Sequence, residues 1–185
     1  MALGEGTYRI GSSSGRLLVR TGRTGLGTRA GHDLAIAATR WEGTVTVDAA
    51  EPGRSSVTVE VDVDSLEVQS GSGGVKPLTG GDRAEIKRII RQKMLHSARH
   101  PTITFRSTGV SGSLDSLLVD GELTIMGEAR PVTVRARVAE DGRVQGGATV
   151  VQSHWGITPY SAFFGALKVA DEVGVEIDAR LTPAR

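Results

Sequence analysis

The chain has 185 residues with 22 Lys and Arg, 21 Asp and Glu, a formal net charge of +1 and no cysteine. This length suits one domain with a single core, and the near-zero charge gives no reason to expect nucleic acid or an anionic membrane as a partner. The absence of cysteine excludes disulfides, thiolate metal sites and a cysteine nucleophile.

The sequence shows neither a membrane-spanning segment nor a signal peptide. No run of about 18 apolar residues is present, so the sequence predicts no spanning helix and no stable membrane insertion. The first residues, MALGEGTYRIGSSSG, lack the basic start and apolar centre of a signal peptide. We therefore expect a cytoplasmic protein, or a periplasmic or secreted one if a leader was removed.

The first elements are short strands separated by glycine-rich segments. Thr7 to Ile10 and Arg16 to Arg20 are predicted strands, joined by a turn at Gly11 to Gly15. That turn matches G-x-S-x-G, but a nucleophile elbow needs a helix behind it, and another strand follows here. The basic, glycine-rich segment from Gly22 to Gly31 also opens no helix, so we expect a mobile connection and no phosphate site.

The next segments alternate clearly. Leu34 to Asp48 is predicted to form one long strand or two, and Val57 to Asp64 a strand with four valines on one face. The acidic residues of that strand, Glu60, Asp62 and Asp64, lie on the opposite face. A solvated surface explains them better than a pair of catalytic carboxylates.

One helix is predicted, after a loop from Gln69 to Gly81. Asp82 and Glu85 form a capping-box pattern, and apolar residues recur at helical spacing as far as Leu95. The opposite face is basic, which is typical of solvated helices and would also suit an anionic head group or membrane surface. We favour the solvated face.

Two histidines follow the helix at a spacing that metal sites use. His96 and His100 are four residues apart, but Pro101 disfavours helical backbone at His100, and no carboxylate stands at ligand spacing. No metal site is expected.

The second half of the chain is again rich in strands. Pro101 to Thr108 is a predicted strand, Leu117 to Val138 a hairpin with a loop of four to five residues, and Arg143 to Val151 a strand whose inward residues are small. Glu172 to Leu181 is the last predicted strand.

Between the last two strands, Gln152 to Val169 is too irregular for a strand and gathers four of the seven aromatic residues of the chain. It is either a lid over one end of the domain or a plug that completes the core, and the sequence does not choose between them.

These elements predict an antiparallel all-β domain. Periodicity does not distinguish a barrel from a sandwich. The inward residues are mainly Val, Ala, Leu and Ile, and an eight-stranded barrel lined by such residues can hold one elongated ligand.

The hairpin carries a resemblance to a known family. Leu123, Thr124, Ile125 and Gly127, followed by Arg130, Pro131, Val132, Thr133 and Val134, fit L-T-[apolar]-x-G-x-x-[basic]-P-V-T-[apolar]. This pattern resembles the signature hairpin of the YceI-like family. Similarity extends over nearly the whole chain, including Gly6 to Arg20, which is similar to the first hairpin of the family. The resemblance implies that residues 1–185 form a single domain, an antiparallel lipocalin-like barrel of about eight strands. It also implies that this barrel holds a polyisoprenoid or another long amphiphile.

We therefore expect a non-enzymatic protein that binds, transports or stores a polyisoprenoid, an isoprenoid quinone, or a fatty acid or amide. No cofactor is expected beyond such a lipid, and a homodimer is possible. The expected apolar pocket comprises Val45, Val47, Val59, Val61, Ile103, Phe105, Leu123, Ile125, Val132, Val134, Val150, Trp155, Tyr160, Phe163, Phe164 and Leu167. The expected polar rim is His32, His154 and Lys168. The alternatives are a hydrolase or isomerase that uses His32 or His154 with Ser13 or Ser161, and a collapsed barrel that serves as an interaction module.

Overall fold

Among the described residues, the fold consists of β-strands with one α-helix and three short 3₁₀ helices, Pro52–Arg54, Val63–Ser65 and Gln152–Trp155. The structure, a computed structural model, describes residues 3–25, 31–162 and 167–185, with the backbone alone described at 162 and 167. The strands are β1 Gly6–Gly11, β2 Gly15–Thr24, β3 Asp33–Ala38, β4 Trp41–Val47, β5 Ser56–Asp62, β6 Leu66–Ser72, β7 Thr102–Ser113, β8 Ser116–Ile125, β9 Glu128–Val138, β10 Arg143–Val151, β11 Ser161–Ala162, β12 Leu167–Arg180 and β13 Thr182–Pro183. The helix α1 spans Gly80–Ile89 and continues as a π-helical segment, Ile90–Met94.

The strands close into a ring of eight antiparallel neighbours. β1 and β2 together form one long line of the sheet. It pairs with a second line formed by β3 and β4, and the second line pairs with a third formed by β5 and β6. β7, β8, β9 and β10 then pair in sequence. β12 pairs with β10 on one side and with β2 on the other, and β13 pairs with β1. The predicted antiparallel all-β barrel fold is therefore confirmed, but the described part of the chain forms 13 strands instead of about eight, because several lines of the sheet are divided into shorter strands.

The predicted first hairpin is wrong. β1 and β2 both run antiparallel to the same line of strands, with Gly11 opposite Glu42 and Leu18 opposite Ala37. The chain between Gly11 and Gly15 is therefore a local excursion in one long strand and does not reverse direction. Glycines and serines are typical of both features, so composition alone suggested a turn.

Three segments that we expected to be loops or irregular contain strand. β2 continues to Thr24, and β12 begins at Leu167, where Lys168 pairs with Thr24. β6 runs to Ser72 because each residue from Leu66 to Val68, and from Ser70 to Ser72, has a partner in β3. Phe163 and Phe164 lie outside the described residues, so the choice between lid and plug stays a prediction.

The helix begins earlier than predicted and has a different cap. Thr79 is the N-cap: its side chain accepts a hydrogen bond from the backbone N–H of Asp82, and the Asp82 carboxylate accepts one from the N–H of Thr79. The pattern T-x-x-D forms the same reciprocal box as the expected pair of Asp82 and Glu85, three residues upstream. Glu85 instead forms an ion pair with Arg88.

The helix lies beside the part of β6 that has no strand on its second edge. β7 begins at Thr102, opposite Asp62, so it reaches β5 and not β6. Side chains of the helix make the connection: Lys87 pairs with Glu67, and Arg83 donates to the backbone carbonyl of Gln69. The helix thereby covers an edge that would otherwise be exposed.

The hairpin of β8 and β9 has a tighter turn than predicted. Its strands pair as far as Ile125 and Glu128, which leaves a two-residue turn of Met126 and Gly127, both with positive φ (51° and 76°). This is the geometry of a type I′ turn. The expected loop of four to five residues is wrong because Pro131 lies within the strand. Its missing N–H is tolerated there, since β9 pairs with β10 only through Arg135–Val138.

The two ends of the barrel differ. Among the described residues, the helix end carries the connections 73–101 and 126–127 together with residues 31–32 and 152–160. The far end carries the connections 48–55, 114–115 and 139–142. Within the described residues, no helix is long and apolar enough to cross a membrane.

Candidate functional site

The barrel interior contains one large cavity. Its volume is about 1210 Å³, which exceeds the roughly 300–1000 Å³ of typical small-molecule pockets. The predicted pocket residues that line it are Val45, Val47, Val59, Val61, Ile103, Phe105, Leu123, Ile125, Val132, Val134, Val150 and Tyr160. The interior wall follows from alternation, because inward residues are spaced two apart on every strand.

Many inward side chains of the wall are only half-buried. Val45, Val59, Val134 and Val175 face the interior, yet each retains partial exposure, because the space in front of them is not filled by other side chains. Phe105 adds an aromatic ring to the cavity wall, and this ring lies over Gly121, where a Cβ would come within 2.5 Å of it. Medium-sized side chains thus leave the barrel open along its axis.

Polar groups gather where the cavity reaches the helix end. His32, Tyr160 and Lys168 all line it there, and His32 Nε2 lies 2.8 Å from the carbonyl oxygen of Lys76. Lys168 and Ser161 are partners in the short ladder of β11 and β12, which places the lysine beside Tyr160. Two of the three expected rim residues, His32 and Lys168, are therefore at the mouth.

Arg23 is a mouth residue that sequence reasoning missed. Its Nε donates to Asp33 at 3.0 Å, its Nη1 donates to the carbonyl of Gly31 at 2.5 Å, and its side chain is 19% exposed. Gly73 makes room for it, since a Cβ there would come within 2.5 Å of the guanidinium. The pairing with Asp33 could not be read from the sequence, because it depends on β2 extending beyond Arg20.

The helix completes the wall at this end. Ile86, Ile90 and Met94 line the cavity, so the apolar stripe of the helix faces the interior as predicted. Arg91 donates to Asp64 at 2.7 Å, and this bond holds the pKa of Asp64 below its ordinary value. Lys87 lowers the pKa of Glu67 in the same way. These two carboxylates thus remain ionised and keep the helix attached at neutral pH.

Two predicted site residues lie away from the cavity. Trp155 is buried, but it does not line the cavity, and its indole Nε1 donates to the carbonyl of Leu123 at 2.9 Å. His154 is exposed and stacks loosely beside Trp155, with ring centroids 6.4 Å apart. Leu167 lies on β12, and Phe163 and Phe164 lie outside the described residues. For all the expected pocket and rim residues, a role in ligand binding stays a prediction.

The far end of the cavity has a different character. It is lined by Leu3, Val47, Asp48, Ala49, Pro52, Ser55, Gly112, Ser113 and Leu114. None of these is basic, and the single charge is that of Asp48. The lining of the cavity thus contains cations at the mouth and none at the far end.

The described residues contain no arrangement of the catalytic type that we considered. Among them, no hydrogen bond joins His32 or His154 to a serine hydroxyl. The Ser153 hydroxyl instead donates to the Asp171 carboxylate, which lowers the pKa of that carboxyl. No group of three or more His, Asp and Glu residues in this part of the chain could hold a metal ion.

Known proteins resemble this chain in sequence over part of its length. A UPF0312 protein from Azotobacter vinelandii is 32% identical over 105 residues, which is 56% of this chain and 48% of that protein. Protein YceI from Escherichia coli O157:H7 is 29% identical over 103 residues, or 55% and 47% of the two chains. The matched region thus spans about half the length of these curated relatives.

Solved structures resemble the whole fold. Burkholderia cenocepacia BcnA superposes with a TM-score of 0.64 at 22% identity, over 89% of this chain and 94% of that one. The YCEI protein of Campylobacter jejuni gives a TM-score of 0.59 at 12% identity, over 81% and 84% of the two chains. At these identities the likeness concerns the fold alone. A family model described as a YceI-like domain matches residues 19–181.

Proposed function

Since the chain belongs to the YceI-like family, we propose that its barrel binds, transports or stores one long apolar or amphiphilic molecule without catalysing a reaction. The candidates are a polyisoprenoid, an isoprenoid quinone, or a fatty acid or its amide. All of them combine an extended hydrocarbon chain with a small polar head.

The open interior is the observation that carries this proposal. A cavity of about 1210 Å³ is lined along the strands by Val, Leu, Ile and Ala, and several of these side chains are only half-buried because they border the open space. Apolar surface without neighbours favours an apolar occupant, because contact with hydrocarbon replaces contact with water. The same observation disfavours a collapsed barrel that acts only as an interaction module.

The energy available from such a ligand is large. An isoprene unit buries about 100 Å² of apolar surface, which is worth about 2.5 kcal/mol at the usual coefficient. About four units give a gross gain of roughly 10 kcal/mol, and association costs several of these. The net result corresponds to micromolar or tighter binding of long chains.

The polar groups favour one orientation. A head group must end beside hydrogen-bonding partners, and Tyr160, Lys168 and His32 supply them at the helix end. Arg23 is already engaged by Asp33 and Gly31, so it offers less to a ligand. We therefore place the head at the helix end and the hydrocarbon along the barrel axis.

A chain-length series tests the proposal. Isoprenoid alcohols of increasing length would displace a fluorescent lipid from the purified protein, and Kd would be measured for each. We expect affinity to rise by at most about 70-fold per unit, which corresponds to 2.5 kcal/mol, and to level off once the cavity is filled. An affinity that does not change with length would contradict the proposal, because it would indicate a site at the surface.

A further inference from the structure

Two exposed apolar residues stand at the helix-end mouth. Val75 is 80% exposed and Tyr160 is 42% exposed, and both also line the cavity. Each has a lysine close by: Lys76 follows Val75, and Lys168 pairs with Ser161, the neighbour of Tyr160. The mouth therefore presents an apolar residue and a cation from each of two separate segments.

The position of Val75 follows from the two glycines before it. Gly73 and Gly74 both have positive φ, 79° and 76°. A Cβ at Gly73 would meet the Arg23 guanidinium, and one at Gly74 would meet the His32 ring, so the loop packs its backbone onto these side chains. Val75 then lies exposed at the mouth of the cavity together with Lys76 and Pro77, which are also exposed.

The two ends of the cavity differ in charge. The helix-end lining includes Arg23, Lys76 and Lys168 against Asp82 and Glu85, while the far-end lining includes Asp48 and no cation. Among the described residues, neither Lys76 nor Lys168 forms an ion pair, whereas Glu85 is paired with Arg88. Within the described lining of the mouth, the two lysines are thus the cations without an ion-pair partner.

We propose that the helix-end mouth docks reversibly on the surface of an anionic lipid bilayer. Tyr160 places an amphipathic ring at the level of the head groups, Val75 contacts the acyl boundary, and the two lysines contact lipid phosphates. A chain that leaves the cavity between these residues enters the bilayer without crossing water. This transfer step rests on the proposed function, while the docking does not.

The contact is small, so it suits reversible binding. One valine and one tyrosine bury far less apolar surface than a membrane anchor does. Each lysine near an anionic surface strengthens binding by about fivefold. Attachment should therefore depend on anionic lipid and weaken as salt is raised.

Vesicle co-sedimentation tests the docking. Ligand-free protein would be mixed with phosphatidylcholine vesicles that contain about 30% phosphatidylglycerol, at low and high salt, and with vesicles of phosphatidylcholine alone. The site variants are K76Q/K168Q and V75S/Y160S. The controls are L118S on the outer wall, where Leu118 is 36% exposed, and L114S at the far end, where Leu114 is 46% exposed.

We expect binding to the anionic vesicles only, about 25-fold weaker in K76Q/K168Q and strongly reduced in V75S/Y160S. The two leucine variants should bind like the wild type. Equal binding to neutral vesicles, an equal loss in L114S, or no binding to any vesicle would overturn the proposal.

A parallel titration of the wild-type protein with isoprenoid alcohols, without vesicles, separates the two hypotheses. If the wild-type protein binds vesicles but no isoprenoid alcohol, the proposed function is contradicted. If it binds isoprenoid alcohols but no vesicles, the docking is contradicted.

Discussion

Replacing Val134 by Trp is expected to separate an open barrel from a filled one. Val134 lies on β9, faces the cavity and is opposite Val119 on β8. A tryptophan in a well-packed core would cost about 1 to 3 kcal/mol through overpacking. In a cavity of about 1210 Å³ the ring finds free space, so the free energy of unfolding should change by less than about 1 kcal/mol.

The same substitution should weaken ligand binding. The indole would displace about one isoprene unit from the wall, which removes about 2.5 kcal/mol and weakens binding about 70-fold. Arg135→Trp is the matched control, because Arg135 is the next residue on the same strand and is exposed on the outer surface. Thermal melts and lipid displacement would be measured on both variants.

Two results would refute this reasoning. The first is a fall in Tm of about 2 to 12 °C for Val134→Trp without ligand, which corresponds to the 1 to 3 kcal/mol of an overpacked core. The second is equal loss of affinity in Val134→Trp and Arg135→Trp, which would place the ligand outside the barrel.

Three further predictions concern stability. Trp155→Phe should lower the free energy of unfolding by about 1 to 3 kcal/mol more than Trp41→Phe in denaturant melts. The reason is that Trp155 donates a hydrogen bond, whereas the buried Nε1 of Trp41 has no partner among the described residues. Equal losses in the two variants would contradict this prediction. Thr79→Ala should lower the free energy of unfolding by about 1 kcal/mol because it removes the N-cap of the helix, whereas Thr79→Ser should keep the cap and the stability. Arg143 lowers the pKa of Asp178 to about 2, so Asp178 stabilises the fold fully above pH 4 and loses this contribution as the pH falls towards 2. Asp178→Asn should therefore be less stable than the wild type by about 1 kcal/mol at pH 7, and a difference that persists at pH 2 would argue against the ion pair.

The strand composition of the fold was readable because alternation is a local property. The valines of β5 and the hairpin of β8 and β9 are half-buried, and a period of two marks such strands directly. β6 was missed because only Leu66 and Val68 are apolar, and the rest of the strand is held by its ladder with β3. The long strand through Gly11 to Gly15 was also missed, since glycine and serine indicate a turn unless the partner strand is known.

The candidate site also contains residues that could be predicted from the sequence and residues that could not. The apolar wall follows from inward parity, so most of its residues could be predicted from the sequence. Trp155 was assigned to the pocket because aromatic residues are often assumed to line apolar sites, whereas its Nε1 bonds to a backbone carbonyl that only the fold brings near. Arg23 at the mouth and Val75 beside it were invisible, because their positions depend on contacts with Asp33 and on two glycines with positive φ.

Native mass spectrometry of the protein purified without detergent, followed by solvent extraction, tests the central claim most directly. The account predicts one long-chain apolar molecule per protein chain, released by the solvent and bound again when it is added back. A protein that carries no such molecule, and that binds no isoprenoid or fatty amide when these are supplied at micromolar concentration, would contradict it.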